Sequence, residues 1–312
     1  MREAALEVWC SQHLGSPPAA TLWELGHLSR VVAFRLADGR EVVVKARRWD
    51  PALEGCHLVH HHLWTNGFPC PEPITGPVRD GGLAVSAEAH TPGGEPGRGD
   101  DPTLTRRSAV MLSQLIGMAS GLDPSPSLEP PRPWAGWAHP QASPWPPPDE
   151  GPALNSIDAC AHLAPMAVEL NRRLTGTSLP RVVGHIDWYQ GNLRWEGERL
   201  VCADDWDSIT ALPEAAIVGC AAVSFRPGTP EVHPPAWPGA EVNDTEAFLD
   251  QYEQAAGRRF SREETEVAWA AGLWQRLFDA AKAFARGEPE RAGDQIRDAS
   301  ARAPHAGLRW RI

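Results

Sequence analysis

The stretch from Arg181 to Ser208, RVVGHIDWYQGNLRWEGERLVCADDWDS, constrains this chain more than any other part of it. Its pattern is strand, polar loop, strand, tight turn, strand, acidic loop. Val182 and Val183 lead into the loop Gly184 to Gly191. Leu193 to Trp195 then form a short strand, Glu196 to Glu198 turn the chain, and Leu200 to Ala203 bring it back. The hairpin puts three oxygen-bearing side chains, Asp187, Asn192 and Asp205, at one end. Carboxylate and amide oxygens suit a hard divalent cation such as Mg²⁺, which keeps further coordination places for phosphate. A carboxylate beside such a site can take a proton from an attacking hydroxyl.

His185-x-Asp187, then Asn192, then Asp205-Trp206, in this strand context, resembles the Brenner-type motif and metal loop of the aminoglycoside phosphotransferase family. These are small-molecule kinases with a protein-kinase-like fold, in which the same parts appear as the catalytic loop and the metal-binding Asp. The resemblance implies a bilobal α+β fold: a small N-terminal lobe with a mostly antiparallel sheet and one helix, and a larger, mainly helical lobe carrying the hairpin at the cleft. A composition shift after the strand Leu83 to Ala89 places the boundary near Glu88, giving lobes 1–88 and 89–312. ATP and Mg²⁺ are the implied cofactors. Asp187 is implied as the group that orients and deprotonates the acceptor hydroxyl, with Asn192 and Asp205 as the metal ligands. Lys45, at the end of the apolar strand Val42-Val43-Val44, is implied to grip the α- and β-phosphates. Ser29, in the single-glycine loop Gly26 to Arg30, stands where a loop should cover the nucleotide. Ser86, Ala87, Glu88 and Ala89 form the hinge strand whose backbone would meet the adenine. His185 reads as structural, Asp207 either as a supporting acid or as polar loop, and Trp188 and Tyr189 either as facing the acceptor or as packing under the loop.

Three positions depart from the family pattern. The helix that should offer a Glu to Lys45 has Cys56 and His57 near the expected place, and its nearest acid is Glu54. Ala216 stands where an Asp often supports the catalytic loop. Asp204 precedes the metal Asp, where an apolar residue is usual, and leaves two adjacent carboxylates as candidate ligands. These departures give two rival readings. One is a catalytically inactive kinase-fold protein that binds a nucleotide or a partner. The other is a metal-dependent hydrolase using Asp204, Asp205 and His185, which leaves Lys45 without a role.

Charge and composition narrow the partners. With 29 Lys and Arg against 40 Asp and Glu, the net charge is −11, which disfavours nucleic acid and anionic membrane. It is compatible with a cationic acceptor, an aminoglycoside or another antibiotic among the candidates, with acids in Asp244 to Glu253, Asp207 and Glu214 to receive it. The same resemblance extends to kinases of macrolides, peptide antibiotics, choline, homoserine and sugars. The six cysteines form no CxxC pair, which points to free thiols in a reducing cytoplasm. The N-terminus lacks the apolar core of a signal peptide, and no apolar run is long enough to span a bilayer.

The remaining elements follow from periodicity and punctuation. A short helix is expected over Met1 to His13. Strands follow at Leu22 to Leu25, Val31 to Leu36 and Glu41 to Ala46, with Asp38-Gly39 as the hairpin turn. Pro51 to Gly67 reads as a helix, in which His57 and His61 share a face at metal-ligand spacing, though an exposed polar face is the ordinary explanation. Helices are expected at Ser108 to Ser120, Leu163 to Leu174 and Glu214 to Val223, and a weaker one at Pro289 to Arg302. Asn243-x-x-Glu246 and Ser261-x-x-Glu264 read as capping boxes that open two more, the second running to Gly287. Two proline-rich stretches, Asp123 to Pro152 and Arg226 to Glu241, resist regular structure. Trp134, Trp137 and Trp145 in the first either anchor it to the body or line a substrate cleft.

Overall fold

The structure, a computed structural model, describes residues 3–26, 29–123, 128, 133–138, 143–147, 153–226 and 240–310 of the chain. His27 and Leu28 of the expected nucleotide loop, most of the first proline-rich stretch including the Trp134 side chain, and 227–239 of the second lie outside the described residues.

The chain opens with helix α1 (Glu3–His13) and then builds an antiparallel sheet. Its strands are β1 (Pro18–Gly26), β2 (Arg30–Leu36), β3 (Glu41–Arg48), β4 (Pro73–Asp80) and β5 (Leu83–Ala89), with helix α2 (Ala52–Thr65) between β3 and β4. The spatial order is β1-β2-β3-β5-β4. Asp38-Gly39 turns the chain between β2 and β3, and Gly39 takes the positive φ of 90° that glycine adopts without steric cost. Alternation along the strands then sorts two faces. Val32, Phe34, Leu36, Val42, Val44, Ala46, Val85 and Ala87 bury against Leu6, Trp9, Cys10 and Leu14 at the α1 end of the chain. The opposite face carries Val43, Lys45 and Arg47 of β3 beside Ser86 and Glu88 of β5. On that side lies α2, whose Cys56, Val59 and Leu63 join the larger, C-terminal core.

Strand β4 escapes the sequence reading because PITGPVRD contains two prolines and a glycine. It is an edge strand with two register shifts, where a missing N–H donor is tolerated.

The C-terminal part is mainly helical: α3 (Leu104–Met118), α4 (Ala164–Thr175), α5 (Glu214–Ser224), α6 (Val242–Ala256), α7 (Arg262–Ala285) and α8 (Pro289–Arg302). The central hairpin forms as expected from β8 (Leu193–Glu196) and β9 (Arg199–Ala203), with the short β6 (Glu95–Pro96) added on the β8 side. The lead-in strand β7 (Arg181–His185) pairs with β10 (Ile209–Pro213), an antiparallel partner missing from the sequence reading. ITALP is buried throughout, so it shows no alternation to reveal it.

Ser261 and Glu264 do cap α7 reciprocally. The box that opens α6 is instead Glu241 with Asp244, which places Asn243 inside the helix. Gly287, at φ 73°, follows the end of α7. Trp137 and Trp145 are buried and anchor the proline-rich stretch, with their rings 5.4 and 6.5 Å from that of Trp274. Among the described residues no helix is long and apolar enough to cross a membrane.

The tightest helix contact is between α5 and α7. A Cβ on Gly219 would lie 2.0 Å from the Ala268 carbonyl oxygen, and one on Gly272 would meet Val223 at 2.6 Å. The backbones therefore touch where these two glycines face the partner helix, and that approach fixes how α7 lies against the rest of the body. Because a backbone carbonyl cannot swing aside, Gly219→Ala should destabilise the protein by about 1–3 kcal/mol in a denaturant titration, with the loss shared by every helix that packs on α7.

Candidate active site

The loop after β7 is pinned from below. His185 is fully buried, and its Nε2 lies 3.2 and 3.1 Å from the carbonyl oxygens of Asp204 and Asp205, so that nitrogen carries the proton. Burial holds its pKa below the ordinary histidine value, which keeps the ring neutral. The side chain ties the two halves of the motif together and does not face the cleft, as the structural reading expected. Trp188 is also buried and donates to the Ser108 carbonyl of α3 at 3.0 Å, while Gln190 donates to the Ser108 hydroxyl at 3.1 Å. Of the two aromatic residues weighed for the acceptor side, Trp188 packs under the loop and Tyr189 lines the cleft.

On this platform Asn192 donates from Nδ2 to the Asp187 carbonyl oxygen at 3.0 Å and to its carboxylate Oδ2 at 3.1 Å. Both of these contacts require a donor, so the amide orientation is set and Oδ1 is the atom left to face outward. Asp205 lies across the hairpin at φ 61°, ψ 52°, the only non-glycine residue with positive φ among those described. Aspartate tolerates this left-handed conformation better than most residues. The turn is secured by Ser208, whose hydroxyl donates to Asp205 Oδ2 at 2.9 Å. Trp206 is buried beneath it, donating to the Ala203 carbonyl at 2.8 Å and stacked on His60 of α2 at 4.7 Å.

Asp187, Asn192, Asp205 and Lys45 all line one cleft of about 1630 Å³ between the sheet and the helical part. Ser29, Glu88 and Ala89 line it as well, with His90 and Thr91 of the following loop. Ser86 and Ala87 do not reach it. The Ser86 hydroxyl accepts from Arg47 at 3.2 Å, and the Ala87 N–H is taken by the Thr75 hydroxyl at 2.9 Å. The Ala89 and His90 N–H groups are also taken, by the carbonyls of Glu72 and Glu41.

Ion pairing sorts the carboxylates. Glu88 pairs with Lys45 at 3.0 Å, Asp207 with Arg47 at 2.7 Å, and Asp204 with Arg194 at 2.8 Å. Among the described residues, Asp187 and Asp205 have no cationic partner in an ion pair. Burial pushes the Asp187 carboxyl up to about 7, with nearby Asp205 pushing the same way, against the Asn192 amide and Lys282, which pull it down. Burial also weakens the Lys45 ammonium, but Glu88, Asp207 and Asp205 more than offset it, so Lys45 stays charged. Among the described residues no three His, Cys, Asp or Glu side chains converge as a metal cage, the His57 and His61 pair included. What the cleft gathers is the Asn192 amide and two carboxylates, Asp187 and Asp205, outside any ion pair.

Several residues at this site left no signal strong enough to single them out. Arg47 repeats the position of Lys45 two residues on, which a face-by-face reading of β3 could have caught. Arg194 reaches from Asp204 to the carbonyls of Thr91 and Gly93, at 2.7 and 2.6 Å, and its role depends on a fold contact that sequence cannot show. Gln275, Asp279, Lys282 and Arg286 line the cleft from α7 at spacings of four, three and four residues, one continuous face. Lys282 pairs with Asp279 at 2.7 Å.

A profile of the phosphotransferase enzyme family matches residues 21–216, more than half of the chain. No curated protein sequence matches. The fold is protein-kinase-like and recurs in solved structures at low identity. An amicoumacin kinase, hAmiN, in complex with AMP-PNP, Ca²⁺ and Ami shares 10% identity at a TM-score of 0.72, over 99% of this chain and 96% of that one. A choline/ethanolamine kinase family protein from Mesorhizobium loti shares 14% at 0.59, over 98% and 97%. An aminoglycoside phosphotransferase from Alicyclobacillus acidocaldarius shares 14% at 0.56, over 95% of each chain. The chain belongs to the phosphotransferase enzyme family and has its kinase-like fold.

The raised Asp187 pKa has a consequence for stability. A carboxyl whose folded pKa lies above its unfolded one contributes most below the unfolded value and loses that contribution as pH rises through about 7. Asp187→Asn keeps the shape and the Asn192 bond without the charge. Its melting temperature should exceed the wild-type value at about pH 8, and the gap should close towards about pH 4, when both are compared by thermal denaturation without metal or nucleotide.

Proposed function

We propose that this protein transfers the γ-phosphoryl group of ATP to a hydroxyl of a small molecule, with Mg²⁺ as cofactor. The observation that carries the reading is the pair of unpaired carboxylates, Asp187 and Asp205, facing a cleft that also holds a charged Lys45. Asp187 orients the acceptor hydroxyl and takes its proton, held in place by the Asn192 amide. Asn192 Oδ1 and the Asp205 carboxylate would hold the divalent ion, which supplies positive charge at the phosphates. This is a modest set of protein ligands, as expected where phosphate oxygens and water complete the coordination. Lys45 grips the α- and β-phosphates, and Ser29 lies at the lip where a covering loop would close. The adenine would sit against the segment from Ala89 to Thr91. Transfer of this kind depends mainly on positioning and charge stabilisation, and these residues supply both.

Two observations weigh against the rival readings. A hydrolase built on Asp204 and His185 would need them free, but Asp204 is held by Arg194 and His185 faces main-chain carbonyls. An inactive kinase relic has no chemical reason to keep Asp187, Asn192, Asp205 and a paired Lys45 around one cleft.

On the acceptor side, the acids expected to attract a polycation are engaged elsewhere. Asp244 pairs with Arg226, Asp250 and Glu253 with Arg259, and Glu214 with Tyr252 and Arg258. The wall nearest Asp187 is the α7 face, with Asp279 followed by Lys282 and Arg286. Asp279 and Lys282 pair with each other there, so the wall offers no surplus of acid, and a zwitterionic or neutral hydroxyl compound suits it better than an aminoglycoside carrying several positive charges. Antibiotics remain within the candidate class, since the similar solved structures include an amicoumacin kinase.

ADP release from Mg–ATP, measured over a panel of polycationic, zwitterionic and neutral hydroxyl compounds, tests the reading. At least one compound should stimulate turnover, and Asp187→Ala should lower it by about 10²–10⁴-fold. Unchanged turnover in Asp187→Ala would refute the role given to that residue. A preference for the polycations would refute the account of the α7 wall.

A further inference from the structure

The helix that would be expected to hold Lys45 does not do so. The carboxylate in the first turn of α2 is Glu54, which is exposed. The residues α2 turns towards the lysine side are Leu53, Cys56, His57 and His60, none of them a carboxylate. Cys56 Sγ approaches the carbonyls of Asp207 and Ile209, at 3.6 Å each. His60 is stacked on Trp206, with its Nε2 2.8 Å from the Pro71 carbonyl oxygen. Burial brings its pKa down to about 3, so a neutral aromatic stack fills the space where a helix carboxylate would otherwise point. The partner of Lys45 is Glu88, at 3.0 Å, with each side chain about 10% exposed. It comes from β5, the strand hydrogen-bonded to β3, in which Ser86 lies opposite Lys45 and Glu88 opposite Val43. Both residues lie on the cleft face of one continuous sheet.

We propose that Glu88 is the positioning residue for Lys45 and that its placement in the same sheet preassembles the phosphate grip independently of α2. The inference rests on the reading of Lys45 as a phosphate ligand and gives Glu88 a different role from the backbone adenine contact expected of it. In kinases where the lysine's partner sits on a mobile helix, swinging that helix makes or breaks the pair. Here the two side chains are neighbours across a β-ladder. Moving their backbones apart would mean opening the β3–β5 pairing, which also holds Val42, Val44, Ala46, Val85 and Ala87 in the core beneath α1. The lysine is therefore aimed before nucleotide arrives, and no helix movement is needed to arm it. Ser86 and Arg47, the next pair along the same face, continue the polar row but end in Asp207 and leave Lys45 to Glu88.

The test is calorimetric titration of the full-length protein with Mg–ADP and, separately, with adenosine, which lacks phosphates. Glu88→Gln keeps the volume and removes the charge. It should weaken Mg–ADP binding by about tenfold to a hundredfold and leave adenosine binding unchanged. Combined with Lys45→Ala, it should add little further loss, because the two residues act as a unit. Glu54→Ala should bind both ligands as the wild type does. Equal loss of Mg–ADP and adenosine affinity in Glu88→Gln would make Glu88 a general support of the pocket and overturn the proposal. So would unchanged Mg–ADP binding in Glu88→Gln, or a loss in Glu54→Ala. If Glu88→Ala fails to fold, Glu88→Gln carries the measurement. A wild type that binds adenosine but gains nothing from the phosphates of Mg–ADP would remove Lys45 as a phosphate ligand, and with it the function proposed above.

Discussion

Charge balance inside the cleft governs the rest of the site. Three carboxylates are neutralised by three basic side chains from two strands: Lys45 of β3 for Glu88, Arg47 of β3 for Asp207, and Arg194 of β8 for Asp204. Asp187 and Asp205 are left over, brought close by a hairpin and a pinned loop. Two like charges so placed repel, and the raised Asp187 pKa is a direct expression of that repulsion added to burial. Among the described residues neither has a cationic partner in an ion pair, and the attraction of Lys282 for Asp187 and of Lys45 for Asp205 acts only at longer range. Everything beneath, the His185 tie, the Trp188 and Gln190 bonds to Ser108 and the left-handed Asp205, holds this unfavourable arrangement in place.

The scaffold achieves this by dividing its apolar residues between two cores. The smaller lies on the α1 face of the sheet and leaves the other face free for charged side chains. The larger extends from α2 through the hairpin to α7, so the helix beside the lysine strand belongs energetically to the catalytic part. The Gly219 and Gly272 approach sets α7 close against α5, and the polar face of α7 reaches the cleft as a result. One helix thus carries both a deep apolar stripe, from Val267 to Ala281, and the wall that an acceptor would meet.

Much of this was legible in the sequence, and what was missed follows a pattern. Asp187, Asn192 and Asp205 could be read because they flank one hairpin in a single continuous stretch of chain, where local spacing determines geometry. The apolar stripe of α7, the Ser261 box and the glycine that ends the helix could be read for the same reason. Glu88 was singled out only for its backbone, because its partnership with Lys45 is a cross-strand relation between residues far apart in the chain. Strand β10 has no alternation since both its faces are buried, and β4 hides behind its prolines. The α6 capping box went to Glu241 and Asp244, two residues before the motif Asn243-x-x-Glu246, since the helix already begins at Val242. Arg194 belongs with these, as the carbonyls it holds come from a loop far away in the chain.

That arginine also constrains how the molecule can breathe. With one guanidinium it holds the carbonyls of Thr91 and Gly93 just beyond the last sheet strand, and the carboxylate beside the metal loop. The back of the cleft is therefore laced shut at the very segment about which two lobes would turn. A spine fixed there couples the loop after β5 to the acidic loop after β9, so a shift of either carries the other with it.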